Sequence, residues 1–162
     1  MAAYTMYTDG SCPRNGSIDA VGGWAFVGVR NPDLPINLQE TWIEASGRME
    51  ANPELPNTSI RAELLAAIKA LEHTRDGSSV VLYSDSAYLV NGITQRWYVK
   101  WFATGKNSAG MVPANLDLWH ELVDLIKART VRMIHIKGHA GHRWQELCDT
   151  LAVTQSKKGG ID

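Results

Sequence analysis

The sequence predicts an α/β fold, a mixed sheet with helices packed on it, whose elements run β-β-β-α-β-α…β-α. Three observations carry this. The N-terminal third begins with three β-rich segments parted by turn residues, the pattern of an antiparallel meander. A helix-period segment then leads into SVVLYS (79–84), a continuous apolar run of the kind that a strand buried on both faces presents when it follows a helix in parallel fashion. Beyond it, helix-period segments alternate with one more strand. The 162 residues, 44% hydrophobic and 20% charged, can bury one substantial core and hardly two. Residues 1–156 are therefore expected to form a single domain, with 157–162 a frayed tail.

Element by element, AYTMYT (3–8) alternates, and DGSCPRNGS (9–17) supplies turn residues, so the first strand is expected to exit at Asp9. VGGWAFVGVR (21–30) reads as a second strand and LQETWIEASGRM (38–49) as a third, with NPDLP (31–35) as loop chemistry between them. ANPELPN (51–57) ends at a helix start that Thr58 or Ser59 can cap. In that helix Leu64, Ile68 and Leu71 fall at i, i+4 and i+7, and HTRDGSS (73–79) closes it. After SVVLYS come short helices near SAYLVNGI (86–93) and TQRWYVKWF (94–102), then a polar loop, ATGKNSAGMVP (103–113). NLDLWHELVDLIKA (115–128) has an amphipathic period, with Asn115 as its cap and Lys127 and Arg129 at the end where cations suit the helix dipole. VRMIHIK (131–137) is the last strand, GHAGH (138–142) a loop and RWQELCDTLAVTQ (143–155) the last helix.

Charge and cysteine content narrow the function classes. Sixteen Lys+Arg against seventeen Asp+Glu give a formal net charge of −1, which argues against gripping a polyanion through bulk positive charge without excluding nucleic acid. The charge is segregated, however. Residues 1–95 carry six basic and eleven acidic side chains, and residues 96–143 carry eight and three. That split suits an acidic working centre beside a surface that can meet phosphates. Two cysteines, Cys12 and Cys148, are too few for a disulfide scaffold or a cysteine-based zinc site. No apolar run approaches the ~20 residues of a membrane span, and MAAYTMYTDG lacks signal or transit character. The expectation is a cytoplasmic protein with no membrane partner.

Four carboxylates stand out. Asp9 and Asp85 each follow a strand; if those strands are neighbours, both acids enter one crevice at the strand ends, where open α/β sheets place ligands. Taken singly, an Asp in DGS suits a turn and Asp85 before SAYL suits a helix cap. Glu63 lies early in its helix, where the dipole favours an acid whatever its task. Asp149, mid-helix between Cys148 and Leu151, needs a partner or a role. Together they form an all-oxygen donor set, which selects Mg²⁺ or Mn²⁺ over zinc. Two such ions about 3.5–4 Å apart can activate a water and stabilise the departing oxygen of a phosphodiester.

YTDGS, RAELLAAIKALE, LYSDSAYLVNGI with a downstream W-x-x-x-W, NLDLW, and IKGHAGH followed by ELCDTLA occur in an order that resembles type 1 ribonuclease H, from about residue 4 to 153. The resemblance implies a five-stranded mixed sheet, three strands antiparallel and two parallel, with helices on both faces. It implies an endonuclease that hydrolyses the RNA strand of an RNA–DNA hybrid, leaving 5′-phosphate and 3′-hydroxyl ends, with a monomer as the default state. Carried over by position, Asp9, Glu63, Asp85 and Asp149 match the metal-binding acids, holding two Mg²⁺ per site with Mn²⁺ as a substitute and Asp9 bridging the two ions. His139 matches a loop histidine that assists proton transfer or product release, and His142 is left without a role. Asn15 and Thr58 resemble residues that hold a DNA phosphate, and Trp97 an aromatic that packs on a DNA sugar; Trp101 is expected in the core. Gln145 stands where the family commonly has an Asn that touches RNA 2′-hydroxyls.

The chain also departs from the pattern. Gln145 is a methylene longer than that Asn, Ser59-Ile60 follows Thr58 in place of an Asn-rich pair, and Ala87 replaces a frequent glutamine. From Trp97 to Asn115 only Lys100 and Lys106 are basic, where basic-handle members are crowded with lysines. Two rival readings stay open: a hybrid-binding module without catalysis, opposed by the four intact acids, and a nuclease of the same fold with another substrate.

Overall fold

The computed structural model describes residues 2–137 and 141–157. Five strands, β1 (Ala3–Ser11), β2 (Gly22–Arg30), β3 (Glu40–Met49), β4 (Ser79–Ser84) and β5 (Thr130–His135), form one sheet in the order β3-β2-β1-β4-β5. The first three pair antiparallel, and β4 joins β1 and β5 in parallel. Among the described residues the helices are α1 (Ser59–Glu72), α2 (Ala87–Thr94), α3 (Trp97–Thr104), α4 (Leu116–Lys127) and α5 (Arg143–Lys157), with a 3-10 turn at Ile36–Leu38. The expected mixed sheet is thus the observed one.

Strand alternation builds two cores. Met6, Phe26, Val80 and Leu82 face α1, α2 and α4, where Leu64, Leu71, Leu89, Trp119 and Leu122 pack with them. Tyr7, Ala25, Val27 and Val29 point to the other face and meet Trp144, Cys148 and Ala152 of α5. Helices therefore cover both faces, but unevenly. Because α5 lies over β1, β2 and β3, the matching face of β4 is only half-covered, where the sequence suggested burial on both sides.

Two further expectations change. The first strand does not exit at Asp9: β1 runs through Gly10 to Ser11, and Asp9 pairs with Ala25 of β2. Cross-strand pairing overrides the turn propensity of DGS, and Gly10 serves a close approach instead, since a Cβ there would overlap the backbone of Ala62 and Glu63 in α1. Asn115 does occupy the N-cap position of α4, in a left-handed conformation, yet its side chain caps nothing; Oδ1 accepts from Arg61 Nη1 at 3.3 Å. Thr58 is the true cap of α1, accepting from Arg61 N at 3.0 Å. Arg129 does more than suit a dipole: it donates to Leu125 O (3.0 Å), Thr74 O (2.8 Å) and Thr74 Oγ1 (2.7 Å), tying the end of α4 to the α1–β4 turn. The start of the expected frayed tail, Lys157, is the last residue of α5; 158–162 lie outside the described residues.

Candidate active site

The site forms where two parallel strands part. The β1–β4 ladder ends at Tyr7 opposite Tyr83, and one residue further the Thr8 hydroxyl donates to Tyr83 O at 2.9 Å. Asp9 follows Thr8, and Asp85 follows the last residue of β4, so the two acids stand on either side of the opening. α1 brings Glu63 in from above, as close as glycine at position 10 permits. One carboxylate oxygen from each of Asp9, Glu63 and Asp85 lies within 4.8 Å of the others. Asp9 and Glu63 are buried, at 2% and 7% exposure, and Asp85 is half-buried. Asp149, half-buried on α5, stands outside this tight group, yet its charge acts on Asp9.

Burial is the dominant electrostatic fact. It raises the Asp9 carboxyl to about 8, with the charges of Asp85 and Asp149 adding to the rise, against the hydrogen bonds from Glu63 and the Gly10 N–H. Burial raises Glu63 well above the carboxylate range too, and the neighbouring Asp9 and Asp85 charges act in the same sense. Asp9 Oδ2 and Glu63 Oε2 are buried with no hydrogen-bond partner among the described residues. Orphaned carboxylate oxygens converging in an all-oxygen set fit a hard divalent cation, which would relieve both the repulsion and the missing partners.

The expected substrate contacts fare differently. Asn15 and Thr58 meet at the start of α1: Ser59 N donates to Asn15 Oδ1 at 2.7 Å, and both residues line a surface pocket of about 320 Å³ with Tyr88 and Asn115. Trp97 lines a neighbouring pocket of about 500 Å³ with Tyr88, Arg96 and Lys100, while Trp101 is largely buried against Trp119, as expected of a core residue. Tyr88, which no motif singled out, lines both pockets, is 41% exposed and sits 5.5 Å from the Trp97 ring. Its only sequence signal is an aromatic three residues after Asp85. His139 lies outside the described residues. Gln145 is fully buried, and its Nε2 donates to Thr8 O at 2.9 Å, so its amide faces the strand and not the solvent. His142 proves to be a capping group: Nδ1 accepts from Gln145 N at 3.3 Å and the ring lies against Tyr7.

Comparison with known proteins gives a consistent match. The sequence model described as RNase H covers residues 1–157. A ribonuclease H of Treponema pallidum is 39% identical over 161 residues, spanning 97% of this chain and 92% of the relative. One from Rhodopirellula baltica is 41% identical over 152 residues, spanning 91% and 87%. Among solved structures, LC9-RNase H1, "a type 1 RNase H with the type 2 active-site motif", superposes with a TM-score of 0.75 at 29% identity, over 95% of this chain and 72% of that one.

Proposed function

Given that the chain belongs to the RNase H family, a family of metal-dependent endoribonucleases, we propose that it hydrolyses the RNA strand of RNA–DNA hybrids at the carboxylate cluster, leaving 5′-phosphate and 3′-hydroxyl ends. The observation that carries the reading is the convergence of Asp9, Glu63 and Asp85 from three separate chain segments within 4.8 Å, with Asp149 near enough for its charge to act on Asp9. These four acids would hold two Mg²⁺, or Mn²⁺ in their place. Bound there, such ions supply an activated water for in-line attack and charge stabilisation at the departing oxygen. The protein's own work is to present the acids deprotonated, so Asp9 and Glu63 must release the proton that burial favours before they can serve as ligands.

In the same reading, Asn15 and Thr58 hold a phosphate of the DNA strand with short donors, and Trp97 packs on a sugar beside Tyr88. His139 assists proton transfer or product release. A monomer working in the cytoplasm completes the proposal; the two free, buried cysteines support a reducing compartment. Among the described residues no helix is long and apolar enough to cross a membrane.

The test uses end-labelled RNA–DNA hybrid, duplex DNA and duplex RNA, each with Mg²⁺, Mn²⁺ or EDTA. Cleavage confined to the RNA of the hybrid and dependent on metal is expected; a hybrid left intact in both metals sinks the proposal. The sparse cations between Trp97 and Asn115 lead to a second expectation. Each phosphate neutralised contributes roughly −0.7 to −0.9 to the slope of log K against log[salt], so hybrid binding should show a shallower slope than that of a relative with a lysine-rich handle. An equal or steeper slope contradicts this.

A further inference from the structure

We propose that Gln145 is a positioning residue for the metal site, setting the distance of Asp149 from Asp9 through the backbone of β1. The role rests on the functional reading above and gives the position a task other than contact with the substrate. Where the β1–β4 ladder stops, side chains continue it. The Thr8 hydroxyl donates to Tyr83 O at 2.9 Å, and Thr8 O in turn accepts from Gln145 Nε2 at 2.9 Å. Thr8 immediately precedes Asp9, Tyr83 lies two residues before Asp85, and Gln145 lies one helical turn before Asp149. One relay thus joins the three backbone segments that carry Asp9, Asp85 and Asp149.

The relay is buried and anchored. Gln145 has no solvent exposure, so its hydrogen bond competes with no bulk water. Two neighbours fix the helix turn that bears it: His142 Nδ1 accepts from Gln145 N at 3.3 Å, and the Cys148 thiol donates to Tyr7 O at 3.3 Å. Side-chain length decides whether the span is closed. Gln reaches Thr8 O from α5 with its Nε2, while its Oε1 is buried with no hydrogen-bond partner among the described residues; Asn, shorter by one methylene, would lose the bond to Thr8 O. Because Asp149 stands outside the tight group of three acids, its approach to a bound ion depends on where this turn of α5 is held.

The experiment compares wild type with Gln145→Met, which keeps the volume and removes the donor, and Gln145→Asn, which keeps the amide and removes the reach. Mn²⁺ affinity is measured by calorimetry, hybrid affinity by fluorescence anisotropy in EDTA, and kcat and KM across a Mn²⁺ series. Both variants should bind Mn²⁺ at least about tenfold more weakly, the usual effect of losing a group that orients a ligand. Hybrid affinity in EDTA and KM for the hybrid should stay unchanged, and excess Mn²⁺ should restore most of kcat. Unaltered Mn²⁺ affinity overturns the proposal, as does a rise in KM or weaker hybrid binding with Mn²⁺ affinity intact, which would make Gln145 a reader of the substrate. Should Gln145→Met fail to fold, Gln145→Leu removes the same donor with an apolar side chain and is held to the same outcomes. A wild-type protein that binds Mn²⁺ but cleaves no hybrid would refute the activity, and the Mn²⁺ comparison would still decide the role of Gln145.

Discussion

Asp9→Asn should abolish metal-dependent cleavage of the hybrid and, at the same time, raise the melting temperature of the metal-free protein. The loss of activity should reach about three orders of magnitude, because removing the central carboxylate costs several kcal/mol of transition-state stabilisation. The gain in stability follows from the charge that burial imposes. Asp9 ionises only at about 8 in the folded chain against an ordinary 3.8, and Glu63 is raised as well. A raised acid holds a proton in the native state that the unfolded chain has already released. Its stabilising contribution is complete below the unfolded value and is lost as pH rises through the folded one. The metal-free wild type should therefore weaken between about pH 4 and pH 8, and the variant should weaken less. In EDTA at pH 8 a gain on the order of 1 kcal/mol, roughly 2–4 °C for a chain of this size, is expected from thermal unfolding followed by circular dichroism. Added Mg²⁺ should raise the melting temperature of the wild type far more than that of the variant. A variant that melts below the wild type in EDTA would contradict the electrostatic account.

Gly10→Ala should damage both fold and site through a single methyl group. Its Cβ would overlap the backbone at Ala62 and Glu63, so no side-chain rotation can make room and α1 must move off the sheet. Overpacking of this kind costs typically about 1–3 kcal/mol, a fall of several degrees in melting temperature. The functional loss should exceed what that destabilisation explains. Glu63 rides on the displaced segment, and a shift of about 1 Å in a reacting geometry can cost roughly a hundredfold in rate. Thermal unfolding and cleavage rates measured at a temperature where the variant remains folded separate the two effects. A variant with wild-type activity and stability would show that α1 has freedom the close approach denies.

These two residues mark how far the sequence could be read. The elements were legible because local patterns carry them: the β-rich segments that became β1 and β2, the i, i+4, i+7 stripe of α1 and the cap at Thr58 all recur in the structure. The acids were legible as a set through the family resemblance and because four carboxylates, if brought together, would repel without a cation; singly, a turn, a helix cap and a helix dipole each accounted for Asp9, Asp85 and Glu63. The end of β1 was not. DGS has turn chemistry, and only the partner residues Trp24 and Gly23 of β2 keep Gly10 and Ser11 extended. Nor was the place of Tyr88 between two pockets, since an exposed aromatic has no periodic signature.

By itself the sequence determined the order and type of the elements, the all-oxygen chemistry of the site and the family resemblance, all of which depend on residue identity and short-range spacing. Only the tertiary structure decided that Asp9 sits inside a paired strand, that Asp9, Glu63 and Asp85 close to within 4.8 Å while Asp149 stands back, and that the Gln145 amide turns inward to Thr8 O. The reason is one of range. Periodicity tells which face of an element is apolar, but the carbonyl that a buried amide meets, 137 residues away along the chain, is set by how closely α5 and β1 approach in space.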